Sequence, residues 1–378
     1  MNDIIFYSSY NIFCNSYNKD KLDEMPGGGN FSSFFNVFNQ NISVMDRTET
    51  VKIPLKCELL PWLKLPKYEK FTKSFSEIMD ERAVQVFKQA VESNRKLAVM
   101  YSGGVDSTAI LCALLKNIPE KDLKDNVVVL LSELSIMENP NFYHSHIIKK
   151  FKCISSFRFP YFLGNDEYLL INGENADQLF GSQVTGFFTL DRDFKDVFKP
   201  VRTMRGELID WMRTRIEKDW VVYKSNDKDY SEKLFNHLEQ IVAAAPIELD
   251  DIYRFFWWIN FTTKWQSVYV RLLPFSQNPK TIKLEENYTT FYYPKDFQLW
   301  SMNNTDKFVK DTALSSKYIA KEYICEYNKD WDYMNKPKIG SLSSVFKQKN
   351  IPTYITRDME YHYGYPSADK FNRENDFR

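Results

Sequence analysis

Between residues 96 and 190 the chain alternates short apolar runs with stretches of helical spacing. Residues 96–101 (KLAVMY) make a nearly continuous apolar run, the pattern of a strand covered on both faces. From 107 to 116 (STAILCALLK) apolar positions recur three and four residues apart, which predicts a helix. Residues 126–131 (NVVVLL) predict a second buried strand, 140–151 a helix opened by Pro140, and 168–172 (YLLIN) a third strand followed by a helix from about Ala176. Strands alternating with helices imply an α/β fold with a parallel sheet and right-handed crossovers. Ligands in such sheets bind beyond the carboxyl ends of the strands.

After about residue 195 the pattern changes to helical segments rich in Trp, Phe and Arg at 203–220, 231–244, 249–263 and 305–327, so this half is expected to be all-helical. Residues 1–66 carry few helix signals, with β-like runs at 3–8 and 32–38 and a boundary marked by Pro54, Pro61 and Pro66. The expected organisation is an N-terminal extension (1–66), a main domain (67–348) with its core at about 96–190 and helical part at about 195–348, and a polar, peripheral tail (349–378).

Composition narrows the class. The 378 residues are 43% hydrophobic and 26% charged. That is apolar surface enough for a large core, which excludes disorder and a collagen-like or disulfide-stapled scaffold. Fifty basic side chains balance fifty acidic ones, so no global field draws in nucleic acid, and nucleic acid is not an expected partner. Cys14, Cys57, Cys112, Cys153 and Cys325 are scattered with no CxxC pair, which argues against a zinc site or a disulfide framework and points to a reducing cytoplasm. No leader pattern opens the chain, and no run approaches the roughly 18 apolar residues of a spanning helix, so neither export nor membrane insertion is expected. His144 and His146 lack the companion ligands of a metal site and are given no role.

The chain has only twelve glycines, which makes their placement informative. Ser102-Gly103-Gly104-Val105-Asp106-Ser107 joins a predicted strand to a predicted helix, gathering backbone N–H groups, hydroxyls and a helix N-terminus in the way that suits a di- or triphosphate. Asp106 would repel phosphate unless a hard divalent cation bridges the two, which implies Mg²⁺. No lysine follows the second glycine, so the GxxxxGK[ST] machinery is absent. A plain Gly-Gly turn with Asp106 favoured by the helix dipole is the competing account, and the six positions in strand–turn–helix context outweigh it. In the second cluster, Gly173 to Gly181, Glu174 and Asp177 stand three apart at a strand-to-helix junction. Asp177 is placed to share Mg²⁺ with Asp106, leaving Glu174 to orient or deprotonate an amine.

The first cluster resembles the PP-loop of the ATP pyrophosphatases, the family of asparagine, GMP, NAD and argininosuccinate synthetases and of tRNA lysidine and thiouridine enzymes. The resemblance implies an adenine nucleotide alpha hydrolase-like fold and cleavage between the α- and β-phosphates of ATP. The second cluster, Asn172-Gly173-Glu174-Asn175-Ala176-Asp177-Gln178-Leu179-Phe180-Gly181, is similar to the SGEGADELFGG stretch of asparagine synthetases, with Asn172, Asn175 and Gln178 as departures. A left-handed backbone at position 175 would suit Asn, which tolerates it better than most residues. Tyr269-Val270-Arg271-Leu272-Leu273-Pro274-Phe275 resembles the family's E-[VA]-R-[VL]-P-F segment, with Tyr269 in place of the acid and one extra Leu. Lys336-Pro337-Lys338-Ile339-Gly340 resembles its R-P-K-x-G-F segment, which implies that Lys338 contacts the phosphates and the developing charge.

The resemblance covers roughly residues 70–345 and lacks the family's glutaminase domain, since Met1 is followed by Asn2 rather than a nucleophilic Cys. It implies an AMP-forming amide ligase taking a small carboxylate, aspartate by default, and ammonia or another amine from a separate supplier. Ser102, Gly103, Gly104, Val105, Asp106, Ser107 and Gly173 would hold the nucleotide, with adenine against Leu131 and Ser132. A tRNA-modifying PP-loop enzyme and a catalytically idle nucleotide-binding module are the alternatives.

Overall fold

The computed structural model describes residues 46–50, 62–219, 230–276, 281–336, 353–355 and 361–363. In chain order its main elements are α1 (Phe75–Glu92), β1 (Lys96–Met100), α2 (Val105–Asn117), α3 (Glu120–Asn126), β2 (Val127–Leu131), α4 (Glu133–Glu138), β3 (Lys152–Ser155), β4 (Tyr168–Asn172), α5 (Ala176–Phe180) and α6 (Gln183–Phe188). They continue with α7 (Val201–Asp219), α8 (Tyr230–Ala243), α9 (Ile252–Thr263), α10 (Trp265–Val270), β5 (Tyr288–Thr290), α11 (Lys295–Asn303), α12 (Tyr318–Asn328), β6 (Thr353–Ile355) and β7 (Tyr361–Tyr363). The chain divides into two compact units. A sheet unit draws on Phe71–Ala176, Leu272–Trp300 and Lys317–Arg378, and a helical unit on Met1–Lys70, Asp177–Arg271 and Ser301–Ser316.

The sheet unit is built on five parallel strands in the order β3-β2-β1-β4-β5, with β6 and β7 as a separate antiparallel pair. Val99 lies between Val129 on β2 and Ile171 on β4, so the centre of the sheet consists of branched side chains shut off from water on both faces. Helix α2 packs against α1 and α12. Ser74 caps α1 by a reciprocal capping box with Glu77, a device that satisfies two otherwise orphaned N–H groups. Further along α1, the buried Arg82 guanidinium donates to the Phe291 and Thr290 carbonyls and lies over the Tyr293 ring, which ties α1 to the end of β5.

From β1 the chain moves outward through β2 to β3 and then returns to the other side of β1 as β4. That reversal makes the carboxyl ends of β1 and β4 a topological switch point, the position at which ligands of such sheets bind.

The three predicted strands and the helices after the first and third form as expected, α2 beginning two residues early at Val105. Residues 140–151 hold only a short turn of helix, Pro140–Phe142, and a wide turn, Tyr143–Ile147, before β3, an edge strand that periodicity did not predict. The expectation of an all-helical C-terminal half is corrected by β5, which pairs with β4 from Leu170↔Tyr288 to Asn172↔Thr290. Three residues are too few to display strand alternation, and only pairing with β4 defines them. Residues 305–327 likewise resolve into short turns followed by α12. The β-like runs at 3–8 and 32–38 and most of the tail lie outside the described residues.

In the helical unit α9 is buried on nearly all sides, and its aromatic residues are core. Trp258 donates its indole N–H to the Ile241 carbonyl on α8 at 3.0 Å, while Trp257 packs against Phe261 and Phe308. Asp251 caps α9 by accepting from the Arg254 amide at 2.7 Å. Arg47 is buried among Phe261, Trp265 and the carbonyls of Leu63, Lys64 and Phe261.

Burial pushes the His237 imidazole on α8 down from 6.5 to about 4. Between those values the unfolded chain takes up a proton that the folded unit refuses, so stability falls as pH drops through this window and recovers above it. His237→Leu is expected to remove about 2 kcal/mol of the loss between pH 7 and about pH 5. Urea unfolding at both pH values checks it, and an identical pH dependence in wild type and variant would count against the buried neutral imidazole. Among the described residues no helix is long and apolar enough to cross a membrane.

Candidate functional site

The glycine-serine loop stands at the carboxyl end of β1 and runs into α2. Gly103 takes φ +78°, and a Cβ there would collide with the Ser135 carbonyl oxygen and come within 2.6 Å of the Glu138 Cβ. A side chain is strained in that backbone region even where space is open. The loop is therefore seated directly on α4. Its hydroxyls hold one another: Ser107 Oγ accepts from the Ser102 amide at 3.1 Å, lies 3.1 Å from Ser102 Oγ and donates to the Gly104 carbonyl. Thr108 Oγ1 donates to the Gly103 carbonyl at 3.3 Å. Ser102 is exposed, Gly104 and Val105 are half-buried, and Ser107 is buried.

Asp106 sits in the first turn of α2 and is gripped from several sides. Tyr292 donates its hydroxyl to the Asp106 carbonyl at 2.8 Å, and burial holds that phenol well above its usual range. A Cβ at Gly173, just after β4, would stand 3.2 Å from the Asp106 Cβ, so glycine lets the β4 loop approach the β1 loop closely. Lys317, the residue before α12, places its ammonium 2.7 Å from both carboxylate oxygens of Asp106. Sequence reasoning missed Lys317. It lies 211 positions away from Asp106, and no local motif marks it.

The loop after β4 is shaped by two of the departures from the family pattern. Asn172 accepts from the Glu174 amide and donates to the Tyr288 hydroxyl, so one amide ties the turn to β5. Asn175 takes φ +71°, the left-handed conformation that Asn tolerates better than most residues, and its side-chain oxygen accepts from Thr290 Oγ1 at 2.7 Å. Asn175→Val, which carries a β-branch into that region and loses the bond, is expected to cost about 2–4 kcal/mol, whereas Asn175→Gly should cost about 1 kcal/mol. Urea midpoints of the two variants test the ranking, and equal losses would sink it. Glu174 is half-buried in this loop.

Other predicted residues fall elsewhere. Leu131 is fully buried in β2 and Ser132, half-buried, begins the turn into α4, where it shares a capping interaction with Ser135. Asp177 is exposed and belongs to the helical unit, whereas Asp106 and Glu174 belong to the sheet unit. Gln178, buried beside it, donates to Asn260, which in turn donates to the Gly181 carbonyl at 2.6 Å. Tyr269 is buried against Trp62 at 5.9 Å between ring centres. Lys338 lies outside the described residues. Its neighbour Lys336 donates to the Glu138 carbonyl at 2.6 Å, on the helix that seats Gly103.

Among the described residues no three His, Cys, Asp or Glu side chains gather as a metal site on their own. Asp106 offers hard oxygen donors at the mouth of the loop. Both of those oxygens lie 2.7 Å from the Lys317 ammonium, and a single carboxylate of this kind is compatible with Mg²⁺ that brings phosphate oxygens of its own, not with an ion caged by protein.

Fold and site together define an α/β chain whose parallel sheet carries a glycine-serine loop and a half-buried carboxylate at its switch point. No protein-family model matches the chain, and no curated protein matches it significantly.

Proposed function

We propose that this chain is an ATP-dependent, AMP-forming amide ligase of the PP-loop kind, similar to the synthetase part of asparagine synthetases. The observation that carries the reading is the Ser102–Ser107 loop at the switch point, with Asp106 on the first turn of α2 and Gly173 packed against it. In this reading the backbone of Gly103, Gly104 and Val105 and the hydroxyls of Ser102 and Ser107 cradle the phosphates at the N-terminus of a 13-residue helix. Asp106 would hold Mg²⁺, which when bound offsets the charge of the departing pyrophosphate.

A substrate carboxylate oxygen attacks the α-phosphorus, the bond to the β-phosphate breaks, and pyrophosphate leaves. An amine then attacks the activated carbonyl carbon and AMP departs, with Glu174 positioned to orient the amine or take its proton. Cations belong beside such a transition state, and Lys317 supplies one from within the sheet unit, with Lys338 assigned the same task by resemblance. Ser132 is the accessible group of the pair proposed for adenine, since Leu131 is fully buried. By resemblance the carboxylate is aspartate and the amine is ammonia or one handed over by a partner.

Carboxylate-dependent ATP–pyrophosphate exchange, run with Mg²⁺ and a panel of acids but no amine, tests the reading. Exchange with a single acid is the expected result and identifies the substrate. Silence across the panel with ATP still bound would remove the assignment to a small carboxylate and leave a macromolecular carboxylate, an RNA substrate or an idle nucleotide-binding module.

A further inference from the structure

Lys317 does more than line the loop. Its side chain and that of Asp106 are 15% and 25% exposed. Their bidentate contact is thus partly shielded from solvent, where an ion pair is stronger than at the open surface. Lys317 is held in the left-handed region at φ +60°, with its carbonyl accepting from the Lys321 amide at 3.1 Å. That backbone is an unfavourable one for lysine. On the other side, the Tyr292 hydroxyl bonds the main chain of Asp106, and Gly173 lies close against the residue. Both ends of the pair are thus anchored, and the carboxylate proposed for Mg²⁺ already carries a cation.

A divalent cation arriving alone must compete with Lys317 for the carboxylate oxygens and brings two further positive charges close to the ammonium. A cation arriving with nucleotide phosphates brings its own anions, and these can take over the ammonium. We infer that Lys317 makes metal and nucleotide binding interdependent: its ammonium passes from Asp106 to phosphate when the two bind together, and free divalent cation is held only weakly. The inference rests on reading Ser102–Ser107 as a nucleotide loop and adds to it a rule of order.

Mn²⁺ binding to the full chain, followed by electron paramagnetic resonance with and without a non-hydrolysable ATP analogue, tests the exchange. Wild type should bind Mn²⁺ alone weakly and about tenfold or more tightly with the analogue, a coupling of ordinary size. Lys317→Met should bind Mn²⁺ alone about tenfold more tightly than wild type, bind the analogue more weakly and lose the coupling. Lys317→Arg, which keeps the cation, should keep the coupling. If the Met variant does not fold, Asp106→Asn provides a second arm, because release of Lys317 should strengthen binding of the metal-free analogue. The inference is overturned if wild type binds Mn²⁺ equally well without the analogue, if folded Lys317→Met keeps the wild-type ratio, or if Asp106→Asn leaves metal-free binding unimproved. Absence of analogue binding to wild type would instead overturn the nucleotide reading itself.

Discussion

Asp106→Ala is expected to lower the rate of ATP–pyrophosphate exchange by about 10²–10³-fold, the loss typical of removing one preorganised electrostatic group from a transition state. The substitution acts on both the chemistry and the fold. A first-turn carboxylate stabilises its helix by about 0.3–1 kcal/mol, and taking this partner from the part-buried Lys317 ammonium costs about 1–3 kcal/mol more, while the main-chain bond from Tyr292 to the Asp106 carbonyl survives the loss of the side chain. Exchange rates and thermal melts measured on the same preparation separate the two effects. An unchanged exchange rate in Asp106→Ala would falsify the assignment of this carboxylate. A collapse of the melting temperature would assign it to the fold instead.

Gly103→Ala should be among the most destabilising changes of a single methyl group in this chain. Alanine in the left-handed region costs about 1–2 kcal/mol. The collision with the Ser135 carbonyl demands a backbone shift worth about 1–3 kcal/mol more. A total loss of about 2–5 kcal/mol follows, read as a lower urea midpoint at unchanged slope. Because α4 is what the new methyl strikes, the loop should also lose nucleotide affinity in whatever fraction remains folded. Gly104→Ala is the control: its nearest atom, Ser102 Oγ, would lie at 3.4 Å, an ordinary contact. Equal losses in the two variants would contradict the packing of Gly103 on α4.

Much of the sheet unit was legible because its signals are local. β1, β2 and β4 are apolar runs bounded by polar or glycine residues, and burial on both faces demands that pattern. The two glycine clusters were legible for a similar reason, since a close approach and a left-handed turn restrict which residues can stand there. Asn175 shows this directly: the amide that departs from the family pattern adopts φ +71°. β3 and β5, of four and three residues, carried no comparable signal, being strands because of the neighbours they pair with.

Local chemistry along the chain was thus enough to determine the alternation of strands and helices and the loop at the end of β1, because backbone preference and burial act over a few residues. Which groups meet that loop was decided by the tertiary structure alone. Tyr292 and Lys317 come to Asp106 from 186 and 211 positions away, α4 closes on Gly103, and β5 is built into the sheet beside β4. Contacts over such separations depend on the packing of the whole chain, and no spacing of residues in the sequence encodes them.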